Sequence, residues 1–439
     1  MRHLIVVDLG FGDAGKGTVV DWLCARGPEP VHAVVRFNGG AQAAHNVVAP
    51  DGRHHTFAQF GSGTFTPGVR THLSRFMLVD PLALAAEAGH LRALGVDDAL
   101  DRLTVDGGAL LTTPYHRAAN RAREAARGTA RHGSCGMGIG ETVAYSLSHV
   151  DAPRAGDCLS PERLRRALTA LSDWYREEFP NGEAVPPVDD CVDAFTAFAE
   201  HVRIVDGDHL HHLLRTGNVV FEGAQGVLLD EWHGFHPYTT WSTTTFANAE
   251  TLLEEAGVGS AFRLGVTRSY ATRHGPGPFV TEDPVLTADL PDRHNGAGRW
   301  QGAFRVGHLD AVALGYALEV AGGVDGLAVT HLDVAQARGD LRLCVAYDGM
   351  ERIPVGQAGD LEHQAALTER LLTVRPVYAP LPDDQVTAIE DALDAPVVLR
   401  SYGPTADDKR PACRPPVGDL RDDAVDQGHR TSMGAVGSS

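Results

Sequence analysis

Short apolar runs alternate along the chain with longer stretches in which alanine and leucine recur at helical spacing. The first run, residues 4–7, is Leu-Ile-Val-Val and is typical of a buried strand. Seven further runs predict strands, at residues 33–36, 76–79, 219–221, 264–266, 326–330, 343–347 and 396–399. Helices are predicted between several of them, at residues 18–24, 81–94, 161–179, 244–256 and 310–320. This alternation predicts an α/β fold on a large, mostly parallel central sheet flanked by helices.

The chain shows neither an internal repeat nor a clean linker before its last thirty or so residues. Residues 151–210 have a helical pattern, so we expect them to form a lobe beside the sheet. Residues 409–439 are rich in Pro, Gly, Asp and Ser and poor in apolar side chains. Such a composition predicts a disordered tail.

Composition and charge narrow the class of protein. A net charge of −19 argues against partners such as nucleic acid or an anionic membrane. No apolar run approaches the length of a membrane span, and the N-terminus enters a strand at once, so no signal peptide is expected. The six cysteines form no CxxC pair, which argues against a zinc site or a disulfide framework. We therefore expect a soluble, cytoplasmic enzyme.

Residues 10–17 form a glycine-rich turn between the first predicted strand and the first predicted helix, with the sequence Gly-Phe-Gly-Asp-Ala-Gly-Lys-Gly. Backbone amides in such a turn and the dipole of the following helix both favour a bound phosphate. The turn departs from the Walker pattern, because Gly17 stands where a Ser or Thr would hold magnesium. It also contains Asp13, and an acid that faces phosphates must meet a metal ion or take part in proton chemistry. We predict a modified phosphate loop that carries a reactive group.

Polar residues suited to binding or catalysis follow the later strands. His45 lies in a loop of small residues and could supply a proton near neutral pH. Residues 132–140 contain four glycines in nine positions, a composition typical of an anion-binding loop. Gln225 is placed at a strand end where it could contact the edge of a base. Asp333 ends another strand and is the kind of group that pairs with the N1 and N2 donors of guanine.

The order of these segments resembles that of the adenylosuccinate synthetase family, from about residue 3 to about residue 405. The loop Gly-Asp-Ala-Gly-Lys-Gly-Thr is similar to the family's Gly-Asp-Glu-Gly-Lys-Gly-Lys, with Thr18 in place of the last lysine. The segments Gln-Ala-Ala-His-Asn and Gly-Ser-Cys-Gly-Met-Gly-Ile-Gly look like the family's Asn-Ala-Gly-His-Thr and Gly-Thr-Thr-Gly-Arg-Gly-Ile-Gly. Thr-His-Leu-Asp and Ser-Tyr-Gly-Pro are similar to its Thr-Lys-Leu-Asp and Ser-Thr-Gly-Pro.

The resemblance implies a P-loop-NTPase-like fold, a single domain over residues 1–408 and a GTP-dependent ligase. In the implied reaction, GTP phosphorylates the 6-oxygen of IMP or a related 6-oxopurine nucleotide. The amino group of L-aspartate then displaces phosphate to give adenylosuccinate. Asp13 would take the ring N1 proton, His45 would stabilise phosphoryl transfer and Lys16 would serve the phosphates. Magnesium would be held by Asp13 and by a loop carbonyl near Ala44.

The resemblance also assigns binding residues. For GTP these are Gly12, Gly15, Lys16, Gly17, Asp333, Ser401, Gly403 and Pro404. For the nucleotide substrate and aspartate they are Gln42, Ser134, Cys135, Gln225, Thr240, Arg299 and Arg305. The resemblance further implies a homodimer, in which one chain completes the site of its neighbour, and partners that are otherwise small molecules.

Departures from the family motifs are concentrated on the substrate side. Met137 stands where the family has Arg, and an arginine-rich aspartate loop retains only Arg299 and Arg305. A dicarboxylate is best held by bidentate guanidinium groups, so the amine donor is in question. Two alternatives therefore stay open: a relative that aminates a modified purine-like nucleotide or nucleoside or uses another amine, and a GTP-binding protein without ligation. Asp13 and His45 disfavour the second, because simple phosphate binding requires neither.

Overall fold

The computed structural model describes residues 2–128, 131–292 and 300–412. Its strands are β1 (Leu4–Asp8), β2 (Val31–Arg36), β3 (His45–Val48), β4 (His54–Phe57), β5 (Arg70–Leu73), β6 (Leu78–Val79), β7 (Leu103–Asp106), β8 (Leu110–Leu111), β9 (Arg203–Val205), β10 (Asn218–Glu222), β11 (Phe262–Arg268), β12 (Ala271–His274), β13 (Phe304–Gly307), β14 (Leu309–Asp310), β15 (Gly326–Thr330), β16 (Arg342–Tyr347), β17 (Pro376–Pro380), β18 (Val397–Ser401) and β19 (Lys409–Pro411). Its helices are α1 (Lys16–Arg26), α2 (Pro81–Ala93), α3 (Pro114–Ala126), α4 (Ile139–Ser148), α5 (Pro161–Glu178), α6 (Val188–His201), α7 (Gly207–Thr216), α8 (Ala247–Glu255), α9 (Pro284–Asp289), α10 (Ala311–Val320), α11 (Leu332–Arg338), α12 (Leu361–Leu371) and α13 (Gln385–Leu393). Over the described ranges, no helix combines the length and the apolar character that crossing a membrane requires.

One large sheet organises the fold. Its strands follow the order β19-β18-β15-β11-β1-β10-β2-β5-β7-β9, and every neighbouring pair is parallel except β18 with β19. This confirms the predicted α/β fold. All eight predicted strands overlap observed ones, whereas four strands of this sheet, β5, β7, β9 and β19, were missed. These four strands are short, and β5 reads Arg-Thr-His-Leu, so neither an apolar run nor a regular alternation marks it.

The side chains of β1 bind the two helical layers to the sheet. Successive residues of a strand point to opposite faces. Ile5 and Val7 accordingly belong to a core that includes side chains of α7, α8 and α10. Val6 packs on the other side, in a core with Val19 and Val20 of α1. Each of these buried residues contributes roughly 1.5–3 kcal/mol, so β1 and α1 hold the loop between them in a fixed position.

A second core lies under the helical segment. Helices α5 and α6 fall within residues 151–210 and pack on each other, and α5 also packs on α3. Leu164, Leu168 and Phe195 join Tyr115 in this core and are fully buried. The cluster adjoins the β7 side of the sheet through Leu103 and other side chains of that strand.

The last strand extends the sheet beyond the segment assigned to the domain from the sequence. β19 pairs with the edge strand β18 in antiparallel register, with Ser401 opposite Lys409. Residues 409–411 therefore belong to the sheet rather than to a tail, because the edge of β18 offers backbone partners that a composition argument cannot reveal. Residues 413–439 lie outside the described residues.

Candidate active site

Six neighbouring parallel strands each end on a polar residue. From β18 across the sheet to β2 these residues are Ser401, Thr330, Arg268, Asp8, Glu222 and Arg36. All six are buried. Parallel strands end at one edge of the sheet, and ligands of open α/β folds bind at this edge. Of these six residues, sequence analysis assigned only Ser401 to the site. The other five could have been found from the sequence, because each is a polar residue at the end of an apolar strand.

Asp8 folds the phosphate loop. One carboxylate oxygen accepts the backbone N–H of Gly10 at 2.8 Å, and the other accepts the N–H of Ala14 at 2.8 Å. The second oxygen also pairs with the Lys16 ammonium at 3.1 Å. This buried aspartate therefore closes the turn and aims the lysine, which lines the cavity described below.

Asp13 lies within the loop in a left-handed conformation. Its φ is 61°, and its neighbours Gly12 and Gly15 have φ of 90° and 88°. The Arg268 side chain donates Nε–H to the Asp13 carbonyl oxygen at 2.7 Å, which anchors the turn. Burial raises the pKa of the Asp13 carboxyl, and the positive charges of Arg268 and Lys16 only partly oppose this effect. The pKa of Asp13 is thus shifted toward the range that suits a general base.

His45 forms a buried pair with Glu222. Its Nδ1 lies 2.6 Å from a Glu222 oxygen, and Ser62 donates both its backbone N–H and its hydroxyl to the same carboxylate. Burial lowers the pKa of His45, against the opposing charge of Glu222. Burial alone would raise the pKa of Glu222, but His45, Arg36 and Ser62 together lower it. An ionised Glu222 fixes a proton on Nδ1 and leaves Nε2 as the ring nitrogen available to a ligand.

Gly17 explains why the Walker pattern fails at this position. A Cβ added there would lie 2.8 Å from the Cβ of His45 and 3.1 Å from the Ser62 hydroxyl. A Ser or Thr would therefore collide with the histidine. The loop gives up the usual hydroxyl ligand of magnesium, and His45 gains direct contact with the start of α1.

The residues expected to contact guanine follow β15 and β18, beside the first turn of α1. Asp333 is exposed in the first turn of α11. His331 directly precedes this helix and has a φ of 58°. The segment that follows β18 approaches the phosphate loop, since the Thr18 hydroxyl donates to the carbonyl oxygen of Pro404 at 2.7 Å. Within that segment, the Ser401 hydroxyl donates to the Gly403 carbonyl oxygen at 3.2 Å.

Two glutamine amides that were expected to bind substrate line the cavity. Gln225 donates its amide N–H to the Thr240 hydroxyl at 2.7 Å, and its φ is 62°. Over the part of the chain that the structure describes, its amide oxygen is buried without a partner, as are both amide atoms of Gln42. Leaving a buried polar group unpaired costs about 1–3 kcal/mol. Both side chains line the cavity, so a polar ligand there would satisfy them.

The second glycine-rich loop is supported from α3. The Ser134 hydroxyl donates to the Asn120 amide oxygen at 2.8 Å and accepts the backbone N–H of Gly136 at 3.2 Å. Burial raises the pKa of the Cys135 thiol, which keeps it protonated and unreactive at neutral pH. Ser134 and Cys135 both line the cavity, with Ser134 also serving to shape the loop.

A single cleft of about 1510 Å³ joins these groups. The sequence-assigned residues that line it are Gly12, Asp13, Gly15, Lys16, Gly17, Gln42, Ala44, His45, Ser134, Cys135, Gln225, Thr240, Asp333, Ser401, Gly403 and Pro404. This volume exceeds what one drug-sized ligand occupies and suits more than one ligand at a time.

The two assigned arginines differ in what the structure describes. Arg299 lies outside the described residues. Arg305 is absent from the described lining of the cleft, because its guanidinium donates to the carbonyl oxygens of Gly275 and Gly277 and pairs with Glu282 at 2.7 Å. The structure therefore gives Arg305 a loop-bracing position in place of the ligand contact expected from the sequence.

Comparisons with known proteins agree with this architecture. A family model described as adenylosuccinate synthetase matches residues 5–409. The adenylosuccinate synthetase of Marinomonas sp. is 34% identical over 438 residues, covering 92% of this chain and 96% of that protein. The Neisseria gonorrhoeae protein of the same name is 32% identical over 435 residues, with coverage of 92% and 96%.

Solved structures agree in fold. Adenylosuccinate synthetase from Plasmodium falciparum superposes with a TM-score of 0.79 at 23% identity, covering 94% of this chain and 100% of that one. The succinoaminodeoxyadenylate synthetase of cyanophage S-2L gives a TM-score of 0.60 at 20% identity, with coverage of 93% and 95%. The sheet order, the phosphate loop and the length of the sequence matches lead to one conclusion: the chain belongs to the adenylosuccinate synthetase family.

Proposed function

We propose that this chain joins IMP and L-aspartate at the expense of GTP, giving adenylosuccinate, GDP and phosphate. The observation that carries the proposal is the presence of two proton-handling groups, Asp13 and His45, on the lining of the cleft that contains the phosphate loop. A plain nucleotide-binding protein needs neither group. Family membership and the retained loop both support the ligase reaction.

Asp13 acts as the general base. It removes the N1 proton of the 6-oxopurine, so that O6 gains the electron density to attack the γ-phosphorus of GTP. Burial raises the pKa of the Asp13 carboxyl, which strengthens it as a base relative to an exposed aspartate. The Arg268 bond to its carbonyl oxygen fixes the backbone from which the carboxylate extends.

His45 and Lys16 stabilise the charge that moves during phosphoryl transfer. Glu222 holds the Nδ1 proton of His45. Burial lowers the pKa of His45, so the second proton, at Nε2, depends on the negative charge of the bound phosphates, to which it can then be donated. Lys16 brings an ammonium group that Asp8 holds in place. Such transfer depends mainly on positioning and electrostatic stabilisation. The amine of aspartate then displaces phosphate from C6.

The residues present fit Mg²⁺ bound with the nucleotide. Within the described ranges, no three His, Cys, Asp or Glu side chains converge to form a metal site of their own. Mg²⁺ usually binds through one or two carboxylates plus substrate phosphates and water. Asp13 and the backbone near Ala44 both line the cleft and would supply the protein ligands. The ion would neutralise phosphate charge during transfer.

We assign one group of cleft residues to GTP and another group to the acceptor nucleotide. We assign the guanine end to Asp333, with Ser401, Gly403 and Pro404 beside it, and the phosphates to the loop glycines Gly12, Gly15 and Gly17 with Lys16. We assign the acceptor nucleotide to Gln225 and Thr240, with Gln42, Ser134 and Cys135 nearby. The unpaired amide atoms of Gln42 and Gln225 support this side as the polar-ligand end.

We infer that the active form is a homodimer in a reducing, cytoplasmic compartment. Leu147 lines the cleft and is 75% exposed, and Val150 nearby is 97% exposed, so a partner subunit would bury apolar surface next to the site. The five cysteines in the described ranges are all free thiols. Light scattering after gel filtration tests the dimer: a monomer mass across 1–100 μM, a range of roughly cellular concentrations, contradicts it.

The reaction is tested by phosphate release from GTP and Mg²⁺, with IMP and aspartate added singly and together. Release only when both are present, with a succinylated product by mass spectrometry, establishes the ligase. The Asp13→Asn variant prepared in parallel controls for contaminating GTPases. GTP turnover that is indifferent to aspartate, or activity only with another acceptor, contradicts the proposal.

A further inference from the structure

Lys409 is a buried cation that lies directly behind the guanine end of the cleft. It is the first residue of β19 and is only 3% exposed. Its ammonium donates to the Gly403 and Thr405 carbonyl oxygens, each at 2.9 Å, and to the hydroxyl of Thr18 on α1. Three contacts use all three N–H groups of the lysine.

These contacts fix three consecutive carbonyl groups. The oxygens of Gly403 and Thr405 are held by Lys409, and the oxygen of Pro404 between them is held by the Thr18 hydroxyl. Gly403 and Pro404 line the cleft, as does Thr18, whereas Lys409 does not. The lysine therefore acts on a ligand only through the loop and helix that it joins.

Acidic groups surround the ammonium on several elements. Asp21 of α1, Asp333 of α11 and Asp408, the residue before it, all favour its charged form. Burial nevertheless lowers the pKa of Lys409 to about 8. Asp21 is itself buried, and burial raises its pKa to about 7. Keeping the charged ammonium of Lys409 buried costs desolvation free energy. The packing of an edge strand does not by itself require such a charge.

The position of the lysine complements a change in the phosphate loop. The family loop motif ends in Lys where this chain has Thr18. The hydroxyl of Thr18 accepts the Lys409 ammonium, so a cation reaches the same position from the far end of the sequence. The two residues are 391 positions apart in the chain, which is why sequence analysis placed residue 409 in a tail.

We propose that Lys409 is a positioning residue for the guanine nucleotide, which ties the 403–405 segment to α1 so that the base pocket beside Asp333 is preformed. This inference rests on the proposed use of GTP. It predicts that the lysine sets nucleotide affinity and leaves the chemical step and the acceptor site unchanged.

The test compares Lys409→Met with a swap, Thr18→Lys combined with Lys409→Thr, and with Arg410→Met. Arg410 is the exposed cation next along β19 and provides the matched control. Lys409→Met removes the charge-assisted hydrogen bonds that hold this segment, so it should weaken GDP binding and raise the KM for GTP about tenfold. The kcat and the KM for IMP should change less than about threefold. The swap should recover most of the loss, and Arg410→Met should match the wild type.

GDP affinity is measured by calorimetry independently of ligation, which separates this inference from the proposed function. If wild-type protein binds GDP and Lys409→Met binds it equally well, the positioning role is wrong whatever the reaction. Equal losses in kcat, in the KM for IMP and in melting temperature would show a merely structural residue and would also overturn it. If wild-type protein binds no guanine nucleotide, the proposed function fails first.

Discussion

Replacing Asp13 by Asn should abolish turnover and leave the protein as stable as the wild type or more so. The carboxylate sits at φ 61°, a left-handed conformation that Asn accepts nearly as well as Asp. The change therefore removes one negative charge and the proton acceptor without altering size or backbone preference. The Asp13→Asn variant therefore separates an effect on catalysis from an effect on folding.

The two effects have different magnitudes and opposite signs. A positioned general base contributes about 10²- to 10⁴-fold in rate, which is roughly 3–5 kcal/mol of transition-state free energy. For stability, burial raises the pKa of Asp13 in the folded protein above its unfolded value. The folded state then holds the proton more strongly, so this carboxyl lowers stability as the pH rises through that window. Asn lacks this cost at neutral pH, although Arg268 and Lys16 lose part of their compensating charge.

The assay pairs product formation by mass spectrometry with thermal unfolding at neutral pH. Asp13→Ala is the control, since a left-handed non-glycine residue costs roughly 1–2 kcal/mol that Asn and Asp partly avoid. Both variants should be inactive, and only Ala should melt at a lower temperature. Substantial ligase activity in Asp13→Asn would refute the assignment of the base. A clear loss of stability in Asn would show that the carboxylate is structural.

Two further predictions concern the imidazole of His45 and the buried carboxyl of Asp310. His45→Ala should lower kcat by about a hundredfold or more while GDP affinity by calorimetry stays within about threefold, because His45 serves the transition state; an equal loss of affinity would make it a binding residue. Burial raises the pKa of Asp310 from 3.8 to about 6, despite donors from Ala313 and Tyr347. The stability of the wild type relative to Asp310→Asn should therefore fall as the pH rises from about 4 to 6; a difference in urea midpoint between the two proteins that stays constant across this range would contradict the assignment.

The regular elements were predictable because their signals are local. β15 was predicted at its observed bounds, and α2 and α5 ended within one residue of prediction. Apolar runs, a proline at the first helical position and an acidic or hydroxyl N-cap mark these elements directly in the sequence. β19 was missed for the opposite reason. Its strand character depends on a partner, β18, and on the burial of Lys409 against Thr18, neither of which a window of sequence contains.

The cleft was predicted better than the contacts behind it. The resemblance to the family assigned sixteen residues that lie on one surface, and glycine-rich loops and strand ends marked some of them independently. Arg305 was assigned to a ligand because it falls in the segment that resembles the family's arginine-rich aspartate loop. Whether an arginine faces a ligand or braces a loop depends on nearby carbonyl oxygens, here those of Gly275 and Gly277. The sequence does not show which acceptors lie within reach.

For the same reason, the sequence does not show which acids are paired with donors. Asp8 and Glu222 close neighbouring strands, and each carboxylate accepts several donors and faces a cation or an imidazole. Within the described ranges, the Asp13 carboxylate has neither a hydrogen bond nor an ion pair of its own. These two paired acids shape their surroundings, whereas burial raises the pKa of the unpaired Asp13 carboxyl, which favours proton exchange. An acidic chain can therefore present a phosphate-binding loop, because Asp8 and Glu222 at the sheet edge are already paired, and we assign the reaction to Asp13.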